Sequence, residues 1–210
     1  MIKILIADDH AIVREGLKQI IRETSDMVVA DEASTGQELL EKVWKHDYDV
    51  VLLDISMPGR SGLDILKQIR SQKPELPVLI LTIHPEEQYA VRVLRAGASG
   101  YLTKESAPDE LIKAIRKVSM GRKYVSSTLA EKLASEVDII SEKPLHQALS
   151  DREYEVMCMI ASGKTVKEIA EELCLSIKTI STYRSRILEK MKMKSNAELI
   201  HYAIQNRLVD

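Results

Sequence analysis

Cysteine is scarce in this sequence, with only Cys158 and Cys174 among 210 residues. Their spacing matches no metal-binding or redox motif, which excludes a cysteine-based centre of either kind. Both stand at apolar positions of helical patterns, so we expect two small, buried hydrophobic side chains.

Long apolar segments are also missing, since no run approaches the roughly 20 residues that cross a bilayer. Met1 leads directly into the short run Ile2–Ala7, which two aspartates follow, and this start does not resemble a signal peptide. We therefore expect a cytoplasmic protein with no membrane partner.

Net charge is small, a formal −2 from 30 lysines and arginines against 32 aspartates and glutamates. The positive charge is unevenly distributed, because six basic residues and a single acid, Glu189, stand between Ser176 and Lys194. A local cluster of this kind matters more for nucleic-acid binding than the total charge does.

The first 120 residues alternate short β-branched apolar runs with amphipathic helical patterns. The runs are Ile2–Ala7, Met27–Asp31, Val50–Leu53, Val78–Leu81 and Ser99–Leu102, and the helical stretches lie near 11–23, 36–46, 62–71, 85–96 and 108–119. This alternation predicts a parallel sheet covered by helices on both faces. The expected fold is α/β and flavodoxin-like, with five parallel strands in the order 2-1-3-4-5 and five helices.

The rest of the chain divides into a linker and a helical domain. Residues 121–147 lose clear periodicity, although Leu129, Leu133 and Val137 indicate one short helix in the first half. Residues 148–210 have helical patterns throughout, so we predict an all-α domain of four short helices. N-terminal capping signals stand at Ser150, Thr165, Ser176 and Ser195.

Acidic residues follow two strands that are neighbours in the predicted order. Asp8 and Asp9 end the first strand and Asp54 ends the third, so three carboxylates converge beyond the carboxyl edge of the sheet. Clustered carboxylates repel one another unless a cation joins them. Two cations fit: Mg²⁺, which prefers oxygen ligands, and Lys104 at the end of the fifth strand.

The fourth strand ends in Thr82, which adds a hydroxyl to this group. A carboxylate, a divalent cation, a lysine and a hydroxyl can together support phosphoryl transfer onto Asp54. Any single one of these strand-end residues is better explained as a helix cap. All five together, at matching strand ends, favour the phosphoryl-transfer site.

Four segments of residues 1–120 resemble the receiver domain of two-component response regulators. They are Ile6-Ala-Asp-Asp-His10, Leu53-Asp-Ile-Ser-Met-Pro-Gly59, Leu81-Thr82 and Gly97-Ala-Ser-Gly-Tyr-Leu-Thr-Lys104. The resemblance implies that a sensor histidine kinase or a phosphotransfer protein phosphorylates Asp54. It also implies Mg²⁺ as cofactor, with Mn²⁺ as a substitute and no organic cofactor. The ion would be held by Asp8, Asp9, Asp54 and the backbone carbonyl of Ser56.

The same resemblance assigns roles around the phosphoacceptor. Lys104 would pair with the phosphoryl group, and Thr82 and Tyr101 would be the switch residues. Ser56 and His84 would flank the path of the hydrolytic water and so tune the lifetime of the phosphorylated state. For Tyr101, ordinary packing at the sheet edge stays open as an alternative.

The segment Thr165–Met191 is patterned as helix, tight turn and helix. Small Ala170 permits close approach of the two helices, and Leu175 can fill the angle between them. Cys174 stands in the turn, where a positive φ favours Gly or Asn. The residues expected to face inward are Ile169, Ala170, Leu173, Ile177, Ile180, Ile187, Leu188 and Met191.

The opposite face of the second helix places short polar side chains between cations. Its members are Lys178, Ser181, Thr182, Ser185, Arg186 and Glu189. Such a face suits the major groove of DNA, because short groups approach base edges and cations contact phosphates. A solvated helix face without a partner is the alternative.

Three segments of this region resemble a LuxR-type helix-turn-helix domain: Leu149-Ser-Asp-Arg-Glu-Tyr-Glu-Val-Met157, Gly163-Lys-Thr-Val-Lys-Glu-Ile-Ala170 and Ser176-Ile-Lys-Thr-Ile-Ser-Thr-Tyr-Arg-Ser-Arg-Ile-Leu-Glu-Lys190. Joined to a receiver, they resemble the NarL/FixJ family of response regulators over essentially the whole chain. The run Thr182-Tyr-Arg-Ser-Arg186 is most similar to the BvgA/GacA-like branch. The resemblance implies phosphate contacts from Thr179, Tyr183 and Lys190, base contacts from Ser181, Thr182 and Ser185, and a dimer contact through Ala197, Ile200, His201 and Ile204.

The favoured hypothesis is a phosphorylation-gated, promoter-specific transcription factor rather than an enzyme. It would form a homodimer on phosphorylation and bind promoter double-stranded DNA, with RNA polymerase as a further candidate partner. A phosphatase-like enzyme is one alternative, but it needs a second acid where Ser56 stands. A constitutive DNA-binding protein is another, and it predicts DNA binding that is indifferent to Asp54→Asn.

Overall fold

The computed structural model describes residues 1–126, 129–131, 144–206 and 208–209. The chain forms two compact units, Met1–Leu133 and Ala134–Asp210. Within the described ranges no helix is long and apolar enough to cross a membrane.

The first unit contains one parallel sheet. Its strands are β1 (Ile2–Ala7), β2 (Met27–Ala33), β3 (Val50–Leu53), β4 (Val78–Thr82) and β5 (Gly100–Thr103). They lie in the order β2-β1-β3-β4-β5, and every neighbouring pair is parallel. The predicted strand order is therefore confirmed, with β2 two residues longer and β5 one residue later than the sequence pattern indicates.

Helices cover both faces of this sheet, as the alternating pattern predicts. They are α1 (Ala11–Arg22), α2 (Gly36–Lys45), α3 (Gly62–Gln72), α4 (Glu86–Arg95) and α5 (Pro108–Ser119). The central strands β3 and β4 are buried along their whole length, which explains why both are continuous apolar runs rather than alternating ones. One core cluster joins sheet residues such as Ile4, Leu52 and Leu79 to Leu17 and Ile115 on the helices.

Residues beyond α5 continue along the outer edge of β5. The backbone N–H of Tyr124 donates to the carbonyl of Ser99 at 2.9 Å, and Tyr124 forms a parallel bridge with Gly100. Ser126 donates to the carboxylate of Glu86 at 2.6 Å. The predicted linker helix is helical at 129–131, and Leu129 is buried, whereas 133 and 137 lie outside the described residues.

The second unit is helical, as predicted. A 3₁₀ turn at Leu145–Ala148 precedes α6 (Asp151–Ala161), α7 (Val166–Glu172), α8 (Ile177–Lys190) and α9 (Asn196–Gln205). Each helix begins after a residue whose side-chain oxygen accepts a backbone N–H, and all four predicted caps are confirmed: Ser150, Thr165, Ser176 and Ser195.

Two expectations for this unit are wrong. Cys158 is buried, but Cys174 is exposed because it stands in the turn after α7 with φ of 52°, where its side chain leaves the apolar stripe. Ile177 is 55% exposed rather than inward-facing. It is the first residue of α8, and Ile180 and Ile187 provide the buried stripe of that helix instead.

Candidate functional site

The acidic residues meet at the carboxyl edge of the sheet. Ala7 on β1 lies opposite Leu53 on β3 in the ladder, and the N–H of Asp54 donates to the carbonyl of Ala7 at 2.9 Å. The side chains that follow these strand ends therefore come together. Ligand atoms of Asp8, Asp9, His10 and Asp54 all lie within 4.8 Å of one another, and Asp8 and Asp54 are each only 2% exposed.

Lys104 joins two of these carboxylates. Its Nζ lies 2.7 Å from Oδ2 of Asp8 and 2.7 Å from Oδ2 of Asp54, and its backbone N–H is held by the carbonyl of Thr82 at 2.7 Å. Burial lowers the pKa of Lys104, but the hydrogen bonds that it donates to Asp54 and Asp8 outweigh burial and the pKa is raised. The ammonium therefore stays charged at neutral pH and compensates part of the buried negative charge.

The third carboxylate is not satisfied in this way. Oδ1 of Asp9 is buried, and no hydrogen bond from the described residues reaches it, although Nδ1 of His10 stands 3.0 Å away. A buried carboxylate oxygen without a donor is costly unless a cation binds it. Grouped carboxylate oxygens are the donor set of Mg²⁺, so the residues present fit this ion.

The two predicted switch residues lie on neighbouring strands, Thr82 at the end of β4 and Tyr101 on β5. Thr82 and Tyr101 are both fully buried. The hydroxyls of Thr82 and Ser56 are 3.3 Å apart, and Tyr101 Oη donates to the carbonyl of His84 at 2.8 Å. Tyr101 thus points inward in this structure, and its hydroxyl holds the loop that joins β4 to α4.

Arg14 is a neighbour of the cluster that the sequence analysis missed. It lies on α1, and its Nη1 donates to the backbone carbonyl of Asp8 at 2.8 Å. Its Nε donates to Glu32 at 3.0 Å. Arg14 lies about one helical turn after His10. This spacing is the one sequence feature that places Arg14 near the acidic residues.

The predicted DNA-contacting residues lie on α8. The exposed members are Lys178, Ser181, Thr182, Ser185, Arg186 and Lys190, whereas Thr179 and Tyr183 are half-buried. Two hydroxyls donate into the helix itself: Thr182 to the carbonyl of Lys178 at 2.9 Å and Ser185 to that of Ser181 at 3.1 Å. Their lone pairs remain as acceptors on the exposed face of α8.

One of these cations is already paired. Nζ of Lys190 lies 2.6 Å from Oε2 of Glu153, a buried carboxylate that also accepts the N–H of Ser150 at 2.7 Å. Burial raises the pKa of Glu153, but the hydrogen bonds from Lys190 and Ser150 outweigh it and the pKa is lowered. The sequence predicts the cap at Ser150, with which Glu153 forms a capping box, but it gives no sign of the ion pair with Lys190.

The predicted dimer-contact residues share one side of α9. Ala197, His201 and Ile204 are exposed and Ile200 is half-buried, while Leu199 and Ala203 face the core. Arg184 on α8 donates to the side-chain oxygen of Asn196 at 2.7 Å, which ties the start of α9 to the helix before it.

A flavodoxin-like sheet with acidic residues and a lysine at its carboxyl edge, followed by a helix-turn-helix bundle, defines the class of DNA-binding response regulators. The sequence model of the response regulator receiver domain matches residues 4–116, and that of bacterial regulatory proteins of the luxR family matches residues 147–203. The chain belongs to the NarL/FixJ family of two-component response regulators, which regulate transcription.

Individual relatives match over almost the entire chain. The response regulator UvrY of Escherichia coli strain K12 is 38% identical over 209 residues, covering 99% of this chain and 96% of that protein. The oxygen regulatory protein NreC of Staphylococcus carnosus is 40% identical over 215 residues and is covered to 99% on both sides. The structure of RcsB from Salmonella enterica serovar Typhimurium, bound to promoter rprA with a beryllofluoride phosphomimetic, has 29% identity and a TM-score of 0.66, covering 96% of this chain and 98% of that one.

Proposed function

We propose that phosphorylation of Asp54 controls the binding of the helix-turn-helix unit to promoter DNA. The observation that carries the proposal is the acidic cluster at the carboxyl edge of the sheet, where Lys104 binds two of three carboxylates. Lys104 holds Asp54 and Asp8 at 2.7 Å, and Asp9 presents a buried oxygen that accepts no hydrogen bond from the described residues and has the imidazole Nδ1 of His10 as a neighbour at 3.0 Å.

Phosphoryl transfer at this site follows from the contacts of Asp54. Its Oδ1 accepts the N–H of Ser56 at 2.9 Å and its Oδ2 accepts Nζ of Lys104, so the carboxylate is fixed before a donor arrives. Attack by a carboxylate oxygen on the phosphohistidine of a kinase or phosphotransfer protein forms the O–P bond, while the N–P bond breaks and the imidazole leaves. Lys104 then pairs with a phosphoryl oxygen.

The metal would be held by Asp9, Asp54 and the backbone carbonyl of Ser56, with Asp8 bound directly or through water. Mg²⁺, or Mn²⁺ in its place, supplies neutralisation of the phosphoryl oxygens when bound. We assign the chain no organic cofactor and no substrate turnover beyond its own phosphorylation and dephosphorylation. A phosphatase of this kind would need a second carboxylic acid at position 56, and the side chain there is the hydroxyl of Ser56, which supports this assignment.

The switch uses Thr82 and Tyr101. A phosphoryl group on Asp54 gains a hydrogen bond from the hydroxyl of Thr82, and Tyr101 fills the space behind it. Because Tyr101 Oη already reaches the carbonyl of His84 at 2.8 Å, phosphorylation would stabilise the inward packing seen here over an outward alternative. The shift is limited by the difference in phosphoryl contacts between the two packings.

The output is promoter binding by α8 in the major groove. Lys178, Thr179, Tyr183 and Arg186 would contact phosphates, and Ser181, Thr182 and Ser185 would face the bases. The family resemblance also assigns Lys190 to a phosphate, but we propose no phosphate contact for it because it is paired with Glu153. A homodimer through Ala197, Ile200, His201 and Ile204 would present two copies of α8 to two half-sites. Structures of RcsB bound to DNA, at 29% identity over the full chain, support this arrangement.

We further propose the domain limits 1–120 for the receiver, 121–147 for the linker and 148–210 for the DNA-binding domain. The protein would act in the cytoplasm, with a sensor histidine kinase as input partner and RNA polymerase as a candidate output partner. The acidic cluster of the receiver around Asp54 supports the kinase as input partner.

The test is chemical phosphorylation of the full-length protein. Purified protein is incubated with Mg²⁺ and a small acyl phosphate, and intact mass and light scattering are recorded. We expect one phosphoryl group, about 80 Da by the chemistry of transfer, together with dimerisation, and neither change in Asp54→Ala. Failure of both the acyl phosphate and beryllofluoride to alter the wild-type protein would contradict the proposal and favour the constitutive DNA-binding alternative.

A further inference from the structure

Arg14 ties the acidic loop to the neighbouring strand. Its side chain is only 15% exposed, and its guanidinium bridges the carbonyl of Asp8 at 2.8 Å and the carboxylate of Glu32 at 3.0 Å. The backbone N–H of Asp8 is held separately by the carbonyl of Ala33 at 3.1 Å. Both Glu32 and Ala33 belong to the end of β2, so α1 and β2 together grip the peptide group of Asp8.

The hydrogen bonds to the peptide group of Asp8 also restrict the position of Asp9. A peptide bond is planar, so a fixed carbonyl oxygen on Asp8 also fixes the N–H and Cα of the next residue. The side chain of Asp8 has its own partners, Lys104 and the backbone N–H of His10. Oδ1 of Asp9, by contrast, accepts no hydrogen bond from the described residues, and Nδ1 of the next residue, His10, is a close polar neighbour at 3.0 Å. Both Asp9 and His10 follow the carbonyl that Arg14 holds, so the direction of Asp9 depends on that backbone.

We propose that Arg14 is a positioning residue for the cation site, holding Asp9 in place for Mg²⁺ through the carbonyl of Asp8. The inference rests on the proposed function, because it assumes that the acidic cluster binds Mg²⁺. It does not require Arg14 to touch the ion or the phosphoryl group.

Electrostatics alone predicts the opposite result. A guanidinium near a cation site repels the cation, so its removal should strengthen Mg²⁺ binding if charge were its only influence. If Arg14 instead positions Asp9, the same substitution should weaken Mg²⁺ binding, because part of the binding free energy would be spent on ordering Asp9. The sign of the change in affinity therefore separates the two roles.

The experiment compares Arg14→Met with Lys18→Met in the full-length protein. Both residues lie on α1 and both pair with Glu32, Lys18 at 3.3 Å, but only Arg14 bonds to Asp8. Titration calorimetry measures the Kd for Mg²⁺, and thermal unfolding in EDTA checks that each variant is folded. We expect the Kd to rise about five- to tenfold in Arg14→Met, the size of one ordinary hydrogen bond, and less than twofold in Lys18→Met.

A second variant protects the test against loss of folding. Arg14→Lys keeps the positive charge, but a single ammonium cannot reproduce the bidentate fork of a guanidinium, so we expect a rise in Kd of about threefold from the loss of part of this hydrogen bonding. At saturating Mg²⁺ the rate of phosphorylation by acyl phosphate should return to within about twofold of wild type in both Arg14 variants, because the lost contact acts on ion binding.

Unchanged or tighter Mg²⁺ binding in Arg14→Met would overturn the inference, and so would an equal loss in Lys18→Met, which would assign the effect to the Glu32 network. Failure of the proposed function is distinguishable, because it appears in the wild-type protein as absence of Mg²⁺ binding before any variant is compared.

Discussion

Lys190, at the end of α8, forms a 2.6 Å ion pair with Glu153, whose side chain is only 4% exposed. The same carboxylate oxygen accepts the N–H of Ser150 and so caps α6. One buried group thus joins the first helix of the second unit to the last turn of the helix that we assign to DNA recognition. Removing its lysine partner would leave a buried carboxylate with one hydrogen bond fewer.

We therefore predict that Lys190 stabilises the fold rather than neutralising a DNA phosphate. The slope of log K against log salt is negative, and each lost phosphate contact reduces its magnitude by about 0.9. Lys178→Met should show that decrease, whereas Lys190→Met should leave the slope within about 0.3 of wild type and lower the melting temperature. DNA binding measured over a salt series tests both variants, and an equal decrease in slope for the two would assign Lys190 to a phosphate instead.

The lowered pKa of Glu153 predicts how the stability of the second unit depends on pH. Its pKa is lowered in the folded protein because hydrogen bonds from Lys190 and Ser150 outweigh the effect of burial. A carboxyl with a depressed folded pKa contributes stability above its unfolded pKa, and that contribution is lost as pH falls through the folded value. Glu153→Gln should therefore lower stability by about 1 kcal/mol at pH 7, and its difference from wild type should shrink below about pH 4.5.

Amide hydrogen exchange of α6 and α8 in the full-length protein measures this difference from pH 7 to pH 3. The matched control is Glu168→Gln, since Glu168 has the same place in the capping box of Thr165 but is exposed. It should change protection less at every pH. A pH-independent difference between wild type and Glu153→Gln would contradict the assigned ionisation.

Local patterns in the sequence were sufficient for the sheet, the helices and the acidic cluster. Strand ends place Asp8, Asp54 and Lys104 without any knowledge of side-chain packing, because parallel strands end at one edge. Long-range pairings were not predictable in this way. The capping box with Ser150 accounts for a glutamate at position 153, so nothing in the sequence indicated its ion pair with Lys190. The apolar stripe of α8 predicted that Ile177 faces inward, but a stripe does not determine whether the first turn of a helix is covered, and Ile177 is exposed.

Gly100 is another residue whose identity is explained by contacts distant in sequence. Its backbone φ is not in the left-handed region, but a Cβ at this position would lie 2.7 Å from the carbonyl oxygen of Tyr124 and 2.9 Å from Leu79 Cδ1. We expect Gly100→Ala to lower the free energy of unfolding by about 1–3 kcal/mol, as overpacking does.

The control for that substitution is Gly16→Ala on α1, where a Cβ would meet no described atom within 4 Å. Since alanine is the better helix former, Gly16→Ala should raise stability by about 0.5–1 kcal/mol. Chemical denaturation measures both variants. A neutral Gly100→Ala would show that the residues after α5 do not pack on β5 in solution.

Cys174 provides a prediction about backbone strain. It is exposed and has φ of 52°, a conformation that costs most residues other than glycine about 1 kcal/mol. Cys174→Gly should stabilise the second unit by about 0.5 kcal/mol, because the relieved strain exceeds the added entropy of the unfolded chain. Cys174→Val, which adds a β-branched side chain at the same φ, should destabilise it, and reversal of this order in thermal unfolding would exclude the strained turn.

The central claim is that the phosphoryl group on Asp54 controls DNA binding, and the most direct measurement is the affinity of one selected promoter site for the two forms. Site selection on the phosphorylated full-length protein supplies the DNA, and fluorescence anisotropy at fixed salt measures Kd with and without acyl phosphate, alongside Asp54→Asn. We predict binding at least about tenfold tighter after phosphorylation, which is below the ~10²–10⁴ gain that an intramolecular second half-site contact can give, and no response in Asp54→Asn. Equal affinity of the two forms, or weaker binding by the phosphorylated protein, would contradict the account.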